Sequence, residues 1–309
     1  MRKYFNSLIS LREDKLTMDI SAATIVLTLV WGVAIGCVYI LLATGLNIIF
    51  GVMKLVNFAH GQLLMIGAFL TWTISVSVGI NAYAAILISM IVVALLGVGV
   101  ERLTFRRVLG TDKLNEIFVS LGLIYIFENI AILLWGTSSK QVISPFYGLS
   151  VNLQGVSITY DRVVAVFVVV AALAAFGVLM KKTKIGLAMR ATSQRNSTAM
   201  LMGINVEKVY MLTFAIGAAL AAVAGGLYGI IFSFDYQVGA MPTIIAFAII
   251  IMGGLGSIKG AIVGGLLYGI TEQLATLFFG GIWGSAVAFA LLIVVLILRP
   301  NGIFGEKGD

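Results

Sequence analysis

Few side chains in this sequence could carry out covalent or metal chemistry. The chain has one cysteine, Cys37, and one histidine, His60, which excludes an intramolecular disulfide, a cysteine-based metal cluster and a multi-histidine metal site. No G-x-x-x-x-G-K-[ST] segment occurs, so the chain lacks a loop that could hold nucleotide phosphates and cannot hydrolyse ATP alone. The sequence therefore predicts a protein that is not an enzyme, without catalytic residues, metal or cofactor.

Carboxyl groups inside apolar stretches are the next candidates for function. Glu128 and Glu272 both fall well inside such stretches. Ion- and proton-coupled carriers use intramembrane acids as relays, although such groups also serve as hydrogen-bonded packing residues. Because only these two occur, without a run of partners along one helical face, we favour packing and keep ion coupling as the alternative.

The segment NFAHGQ, residues 57–62, places several polar groups between two apolar stretches. Polar groups in such a position are costly unless they are paired or hydrated. One interpretation is a hinge or a constriction that faces a conduit, with His60 as a gating group. The other is a helix start near the cytoplasmic interface, capped by Asn57, with Lys54 extending towards the lipid headgroups.

The composition requires membrane-spanning helices to position these residues. Of the 309 residues, 61% are hydrophobic and only 11% are charged, and the mean hydropathy is +1.10. A soluble domain has about 45–50% apolar and about 25% charged residues. The net charge of +7 comes from basic residues in short blocks between apolar stretches, which is typical of cytoplasmic loops and not of a nucleic-acid site. We predict an all-α polytopic membrane protein that contacts lipid and no nucleic acid.

Hydropathy predicts about eight full-length transmembrane helices, since a helix needs about 20 apolar residues to cross the hydrocarbon core. They lie at roughly 22–42, 59–78, 82–100, 114–135, 161–180, 209–232, 261–279 and 284–298. Two further apolar stretches, roughly 43–57 and 243–256, look too short or too rich in glycine for ordinary spans. Such segments favour broken or half-length crossings beside a transport pathway, and boundaries wrong by several residues are the alternative.

Basic blocks set the predicted orientation. Residues 101–113 and 181–208 are rich in Lys and Arg and should be cytoplasmic. The segment between their flanking spans, residues 136–160, contains a single lysine and should therefore be external.

Three regions of the chain follow from this orientation. We expect an uncleaved cytoplasmic N-terminal tail at 1–21, a transmembrane permease domain at 22–298 and a cytoplasmic C-terminal tail at 299–309. The sidedness of the basic blocks then requires either one extra crossing within 43–57 or an external N-terminus. It also requires a crossing by 243–256.

The cytoplasmic loop 181–208 is predicted to contain a short helix. Thr192 or Ser193 could cap a helix over roughly 193–202, because their hydroxyl groups can accept from free backbone amides. Gly203 could supply the left-handed residue that ends this helix.

Part of that helix is apolar although it should lie in the cytosol. Ala199, Met200 and Leu201 form this part, and exposed apolar surface is typical of a docking site for a partner protein. The alternative is an interfacial helix on anionic lipid, but the helix core lacks the basic and aromatic residues expected of one.

Four segments carry motifs that are specific in combination, although each alone is weak. They read GLNIIFGVMKLVNFAHG followed by QLLMIGAFL, then GLAMRATSQRNSTAMLMGINVEKV, then AFAIIIMGGLGSIKGAIVGGLLYGI, and finally RPNGIFG. Together they resemble the LivH-type permease of branched-chain amino acid ABC importers. The likeness extends from about residue 25 to about residue 305.

The resemblance implies a transport subunit in the bacterial inner (cytoplasmic) membrane. Such a permease pairs with a second, similar permease (LivM-like), two cytoplasmic ABC ATPase subunits drive it, and an external substrate-binding protein delivers the amino acid. Relatives that carry urea or short amides are the alternative within the family. An ion-coupled secondary transporter is the alternative outside it.

The resemblance and the polar residues together nominate two sets of site residues. The family's ATPase-coupling element corresponds here to Gly186, Arg190, Ala191, Asn196, Ala199, Gly203 and Ile204. Transport by alternating access needs polar groups along the conduit, because a zwitterionic amino acid crosses bare hydrocarbon poorly. The candidate pathway residues are Asn47, Asn57, His60, Gln62 and Glu272.

Overall fold

The computed structural model describes residues 22–153 and 156–305. Its helices are α1 (Ala22–Met53), α2 (His60–Val78), α3 (Ala82–Val100), α4 (Arg106–Val108), α5 (Lys113–Trp135), α6 (Tyr160–Lys182), α7 (Lys184–Gln194), α8 (Asn196–Leu201), α9 (Val206–Ile231), α10 (Ala240–Gly253), α11 (Ile258–Phe279) and α12 (Gly281–Leu298). A π-helical turn, Glu101–Phe105, joins α3 to α4. The strands β1 (Ser150–Leu153) and β2 (Val156–Thr159) pair antiparallel, with Ser150 opposite Thr159.

Long apolar helices dominate because lipid offers no partners to backbone amides and carbonyls, which a helix satisfies internally. Among the described residues, eight helices are long and apolar enough to cross a membrane: α1, α2, α3 continued through α4, α5, α6, α9, α11 and α12. The predicted fold class and the eight predicted spans are confirmed. The β1–β2 hairpin lies within the segment predicted to be external.

The prediction that residues 43–57 form a separate crossing is wrong. Residues up to Met53 continue α1, which has 32 residues and is about 48 Å long, and residues 54–59 follow without helical structure. Gly45 does not break the helix, because its missing side chain lets α9 approach. A Cβ atom there would lie 2.6 Å from the carbonyl oxygen of Gly217.

Contacts at its two ends show which way α1 runs. Near its start, the guanidinium carbon of Arg162, from the first turn of α6, lies 3.2 Å from the ring centre of Trp31. Beyond its end, the Lys54 carbonyl accepts from Lys113 Nζ at the start of α5 (2.7 Å). If the basic blocks are cytoplasmic, as predicted, this direction puts Ala22 on the external side, as the alternative of an external N-terminus requires. The tail predicted at 1–21 lies outside the described residues.

A cysteine at position 22 would test this direction. We expect Ala22→Cys to react with a membrane-impermeant maleimide added to intact cells, and Lys184→Cys, at the start of the cytoplasmic α7, to react only after permeabilisation. Labelling of the unmodified chain should be low because its native Cys37 is buried. Labelling of Ala22→Cys that also requires permeabilisation would place the start of α1 in the cytoplasm.

Glycines let α1 and α11 pack backbone against backbone. A Cβ atom at Gly32 would lie 2.8 Å from the Cα of Ile270, and one at Gly36 would lie 2.9 Å from the carbonyl oxygen of Gly265. On the opposite helix, a Cβ atom at Gly269 would lie 2.6 Å from the Gly32 carbonyl oxygen. Only glycine fits here, so close helix approach explains much of the glycine in the apolar runs.

The second short stretch, 243–256, is largely α10, whose 14 residues make it about 21 Å long. The preceding residues, 232–239, are not helical, and Phe234 pairs with Lys140 beyond the outer end of α5. The chain thus passes from a non-helical segment into a half-length helix, as predicted for this stretch. The last turn of α10 contacts residues 303–304, whose amides donate to the carbonyls of Met252 and Gly253 (both 2.9 Å).

Candidate functional site

Two non-helical segments meet inside the bundle, where α2 and α10 begin. The amide of Gly61 donates to Thr243 Oγ1 (3.0 Å), and a Cβ atom at Gly239 would lie 2.6 Å from the Gly61 carbonyl oxygen. This crossing centre lies level with the middle of α9, because a Cβ atom at Gly45 would contact both His60 Nε2 and the Gly217 carbonyl oxygen. Residues 54–59 and 232–239 therefore bring irregular backbone to membrane depth, which persists only where protein or a watery cavity surrounds it.

Side chains replace the missing helical hydrogen bonds along residues 54–59. The Lys54 carbonyl accepts from Lys113, and the amide of Ala59 donates to Asn57 Oδ1 (3.0 Å). Asn57 therefore closes a turn before α2 and does not cap it, since Ala59 precedes the helix without a side-chain cap. The capping interpretation of Asn57 is corrected accordingly.

Three of the five candidate pathway residues, Asn57, His60 and Gln62, lie together at this crossing centre, and each is at most 1% exposed. Gln62 Nε2 donates to Glu128 Oε1 (3.1 Å), so Glu128 packs through a hydrogen bond from α5. Within the described part of the chain, the His60 ring makes no well-formed hydrogen bond, although the Leu42 carbonyl lies near it. In this conformation the crossing centre is closed.

The structure places the other two candidates, Asn47 and Glu272, elsewhere. Asn47 Oδ1 accepts from the amide of Gly256 (2.8 Å) and so holds the turn between α10 and α11 against the inner part of α1. Glu272 lies nearer the outer end of α11, where Ser285 Oγ donates to its Oε1 (2.8 Å). The sequence could not separate these locations, because they depend on which helices become neighbours.

Thr243 should stabilise the crossing centre measurably. Its hydroxyl accepts from the Gly61 amide and donates to the Gly239 carbonyl (2.7 Å), so Thr243→Val leaves a buried amide unsatisfied, at a cost of about 1–3 kcal/mol. Thr71→Val is the matched control, because that buried hydroxyl donates only within its own helix, to Gly67. We expect the thermal midpoint in detergent to fall clearly more for Thr243→Val, and equal midpoints would contradict the role assigned to the hydroxyl.

The cytoplasmic loop folds into two helices, where one was predicted. Thr183 caps α7 by accepting from the amide of Gly186 (3.1 Å). Thr192 and Ser193, the predicted caps, lie inside α7, and α8 begins only at Asn196. The starting point predicted for this helix is therefore wrong.

The predicted end of the helix at Gly203 agrees with the structure. Gly203 has a left-handed φ of 81°. Its amide donates to the Met200 carbonyl and that of Ile204 to the Ala199 carbonyl (both 3.0 Å), which is the hydrogen-bond pattern of a Schellman cap.

The predicted coupling residues divide into buried and exposed groups. Gly186 and Ala199 are buried, and Gly186 lies against the carbonyls of Leu179 and Met180 at the inner end of α6. The prediction that Ala199 belongs to the exposed apolar surface is therefore wrong. Ala191 and Ile204 are half-buried, and Arg190, Asn196 and Gly203 are exposed.

Ile185 and Leu187 on α7 are exposed apolar residues of this loop. Three more are consecutive in the chain, Met200, Leu201 and Met202, and we call these three the docking tip. Their exposed fractions are 56%, 88% and 79%, and Met202 was not predicted to take part. The same loop also carries exposed basic side chains: Lys181, Lys182, Lys184, Arg190 and Arg195. Apolar side chains this exposed outside the membrane-spanning helices are typical of a docking surface.

A cavity of about 250 Å³ lies nearer the external side, between α1, α9, α11 and α12. Glu272 and Ser285 line it, together with the aromatic side chains of Trp31, Tyr39 and Tyr228. We call it the outer cavity. Apart from Glu272, none of these residues was predicted, because single aromatic residues near helix ends give no distinctive spacing.

Comparisons with known proteins agree with this architecture. The profile of one family, described as the permease component of branched-chain amino acid transport systems, matches residues 23–296. The chain is 35% identical to the high-affinity branched-chain amino acid transport system permease protein LivH of Escherichia coli, over 89% of this chain and 94% of that protein. It is 33% identical to the corresponding permease protein BraD of Pseudomonas aeruginosa, over 90% of this chain and 95% of that protein.

A more distant likeness extends to a second permease type. The chain is 26% identical to the probable branched-chain amino acid transport permease protein LivM of Methanocaldococcus jannaschii, over 87% of this chain and 91% of that protein. The relatives are transport permeases, so the prediction of a transport subunit and not an enzyme is confirmed. Eight apolar spans and a family match over most of its length show that the chain is a multi-pass inner-membrane protein that belongs to the permease family of branched-chain amino acid transport systems.

Proposed function

We propose that this chain forms half of the translocation pathway of an ATP-driven importer of branched-chain amino acids. A second, homologous permease would supply the other half, two cytoplasmic ATPase subunits the energy, and an external binding protein the substrate. The observation that carries this proposal is the docking tip, an exposed apolar surface on the cytoplasmic side of a chain without a nucleotide-binding loop.

The surroundings of the docking tip favour a protein partner over lipid. Leu201, at the end of the six-residue α8, is 88% exposed. A lipid-bound helix would instead carry a continuous apolar face with aromatic residues along its length. The basic residues of the same loop would complement an acidic rim on the ATPase and so fix the orientation of docking.

Helix α7 offers a route from the docking tip to the membrane helices. Its buried Met189 anchors it, Gly186 lies against the inner end of α6, and α7 also contacts α1 and α9. A partner that binds the tip differently in its two nucleotide states can thus shift the balance between two arrangements of these helices. The closed crossing centre would open in one of them.

We expect this chain to pair with a second permease. The likeness to both LivH and LivM proteins supports pairing between two different members of the same family. Helix α5 is a suitable contact surface, since its exposed side chains include Phe118, Tyr125 and Leu133. It also carries the exposed Asn129 in the middle of an apolar span, where contact with bare lipid would be costly.

Reconstitution tests the proposal directly. Vesicles that contain this chain, its paralogue, the two ATPases and the binding protein should accumulate leucine, isoleucine and valine when ATP is inside. Vesicles with this chain alone should accumulate none of them. Uphill uptake by the chain alone would instead show an ion-coupled secondary transporter, and uptake of urea without amino acids would show an amide permease.

A further inference from the structure

We propose that the outer cavity binds the ammonium group of the transported amino acid through the Glu272 carboxylate. This proposal rests on the proposed function and adds to it the first binding station on the external side. Glu272 is only 8% exposed, and its Oε2 makes no well-formed hydrogen bond within the described residues. Its Oε1 accepts from Ser285, and the Tyr39 hydroxyl lies against the carboxyl group.

An ionised carboxylate this deeply buried is stabilised by a charged donor at its free oxygen. Unpaired ionised carboxylates are strongly destabilised away from water, and none of the ion pairs in the described part of the chain includes Glu272. An ammonium group supplies one positive charge and three N–H donors. It would satisfy the free Oε2 and neutralise the site in one step.

Aromatic walls make the outer cavity better suited to an organic ammonium than to a metal ion. Trp31, Tyr39 and Tyr228 line it, and aromatic faces attract organic ammonium groups. Tyr39 is held edge-on against Tyr268 with ring centres 5.9 Å apart, so this wall is rigidly packed. At about 250 Å³ the cavity has room for several water molecules, and hence for a small organic cation.

The outer cavity lies where a first binding site for substrate from the external side is expected. Trp31 stacks with Arg162 in the first turn of α6, and Ser285 lies in the first turns of α12, which also begins on the external side. The crossing centre at Gly61 and Thr243 lies deeper and is closed in this conformation. On a route that passes both places, a substrate received from outside reaches Glu272 first.

Ligand analogues test the proposal on the unmodified chain in lipid nanodiscs. The probe is the tryptophan fluorescence change that Trp31→Phe abolishes. We expect leucine and 3-methylbutylamine, which carry an ammonium group, to produce the change, and 4-methylpentanoate and sodium chloride not to. A response to the carboxylate equal to that of the amine would overturn the proposal, and so would a response to sodium chloride alone, which would indicate an inorganic cation site.

Two matched variants locate the site. Glu272→Gln should weaken amine binding about tenfold or more, since a hydrogen bond to a charged group contributes about 1.5–3 kcal/mol. Glu116→Gln, the same change at a buried carboxylate paired with Lys113 at the start of α5, should leave amine binding unchanged. Equal binding by Glu272→Gln and the unmodified chain overturns the proposal, and if Glu272→Gln does not insert, the analogue series decides.

The same reagents separate this proposal from the proposed function. If the reconstituted complex imports leucine and Glu272→Gln imports it at the same rate and KM, the ammonium site is wrong and the importer stands. If the complete wild-type complex fails to import any amino acid, the importer is wrong whatever the outer cavity binds.

Discussion

Replacing Leu201 with aspartate should abolish ATP-driven uptake and leave the membrane domain folded. Leu201 is the most exposed residue of the docking tip, so the free chain loses little, whereas the docked state must bury a charge in an apolar contact. Losing a central apolar anchor costs about 2 kcal/mol or more at a protein interface, which is about 30-fold in affinity. Pull-down of the ATPases with the tagged chain should therefore fail, while the thermal midpoint stays near that of the wild type.

The matched control for this experiment is Gln194→Asp. Gln194 is also exposed on the cytoplasmic loop but lies at the end of α7, outside the docking tip. It receives the same charge, and we expect ATPase binding and uptake to remain near wild type. If both variants lose the ATPases equally, electrostatics of the whole basic loop, and not apolar contact at Leu201, governs docking.

Gly61→Ala should disrupt the crossing centre and with it both stability and transport. The new methyl group would overlap the Gly239 carbonyl oxygen and the Thr243 hydroxyl. One of these neighbours is backbone and neither can move freely, so α2 and α10 must separate. Overpacking of this kind costs about 1–3 kcal/mol and occasionally more. We expect a lower thermal midpoint in detergent and strongly reduced uptake in the reconstituted complex.

Gly99→Ala provides the comparison for a glycine without neighbours. A Cβ atom at Gly99, near the inner end of α3, would meet nothing within 4 Å. Because alanine favours a helix by up to about 1 kcal/mol over glycine, this variant should be unchanged or slightly more stable. A Gly61→Ala protein as stable as Gly99→Ala would show that the two irregular segments can move apart without cost.

The sequence was sufficient to predict the spans because lipid imposes one rule on every crossing. An apolar stretch of sufficient length must be helical, and this holds for all eight long helices. The sequence was misleading at residues 43–57, where short length and glycine content suggested an interruption. In the structure those glycines serve helix contact, and Asn47 reaches across to Gly256, a partner that local sequence does not reveal.

The candidate sites show the same limit. The loop 181–208 was recognisable from the sequence because an apolar tip and a helix-ending Gly203 are local features. The sequence did not reveal that Thr183 caps α7 or that Ala199 is buried. The outer cavity depends on α1 and α12 becoming neighbours, and Trp31 and Ser285 are far apart in the chain. Single residues that meet only through tertiary packing leave no periodic signal.

The inner end of α10 has a consequence for biosynthesis. Its last carbonyls accept from the amides of residues 303–304, which are synthesised after the last two spans. During insertion the last carbonyls of α10 therefore lack these hydrogen bonds until α11 and α12 are in place. We expect membrane quality-control proteases to degrade chains that end before residue 303 faster than the full-length chain.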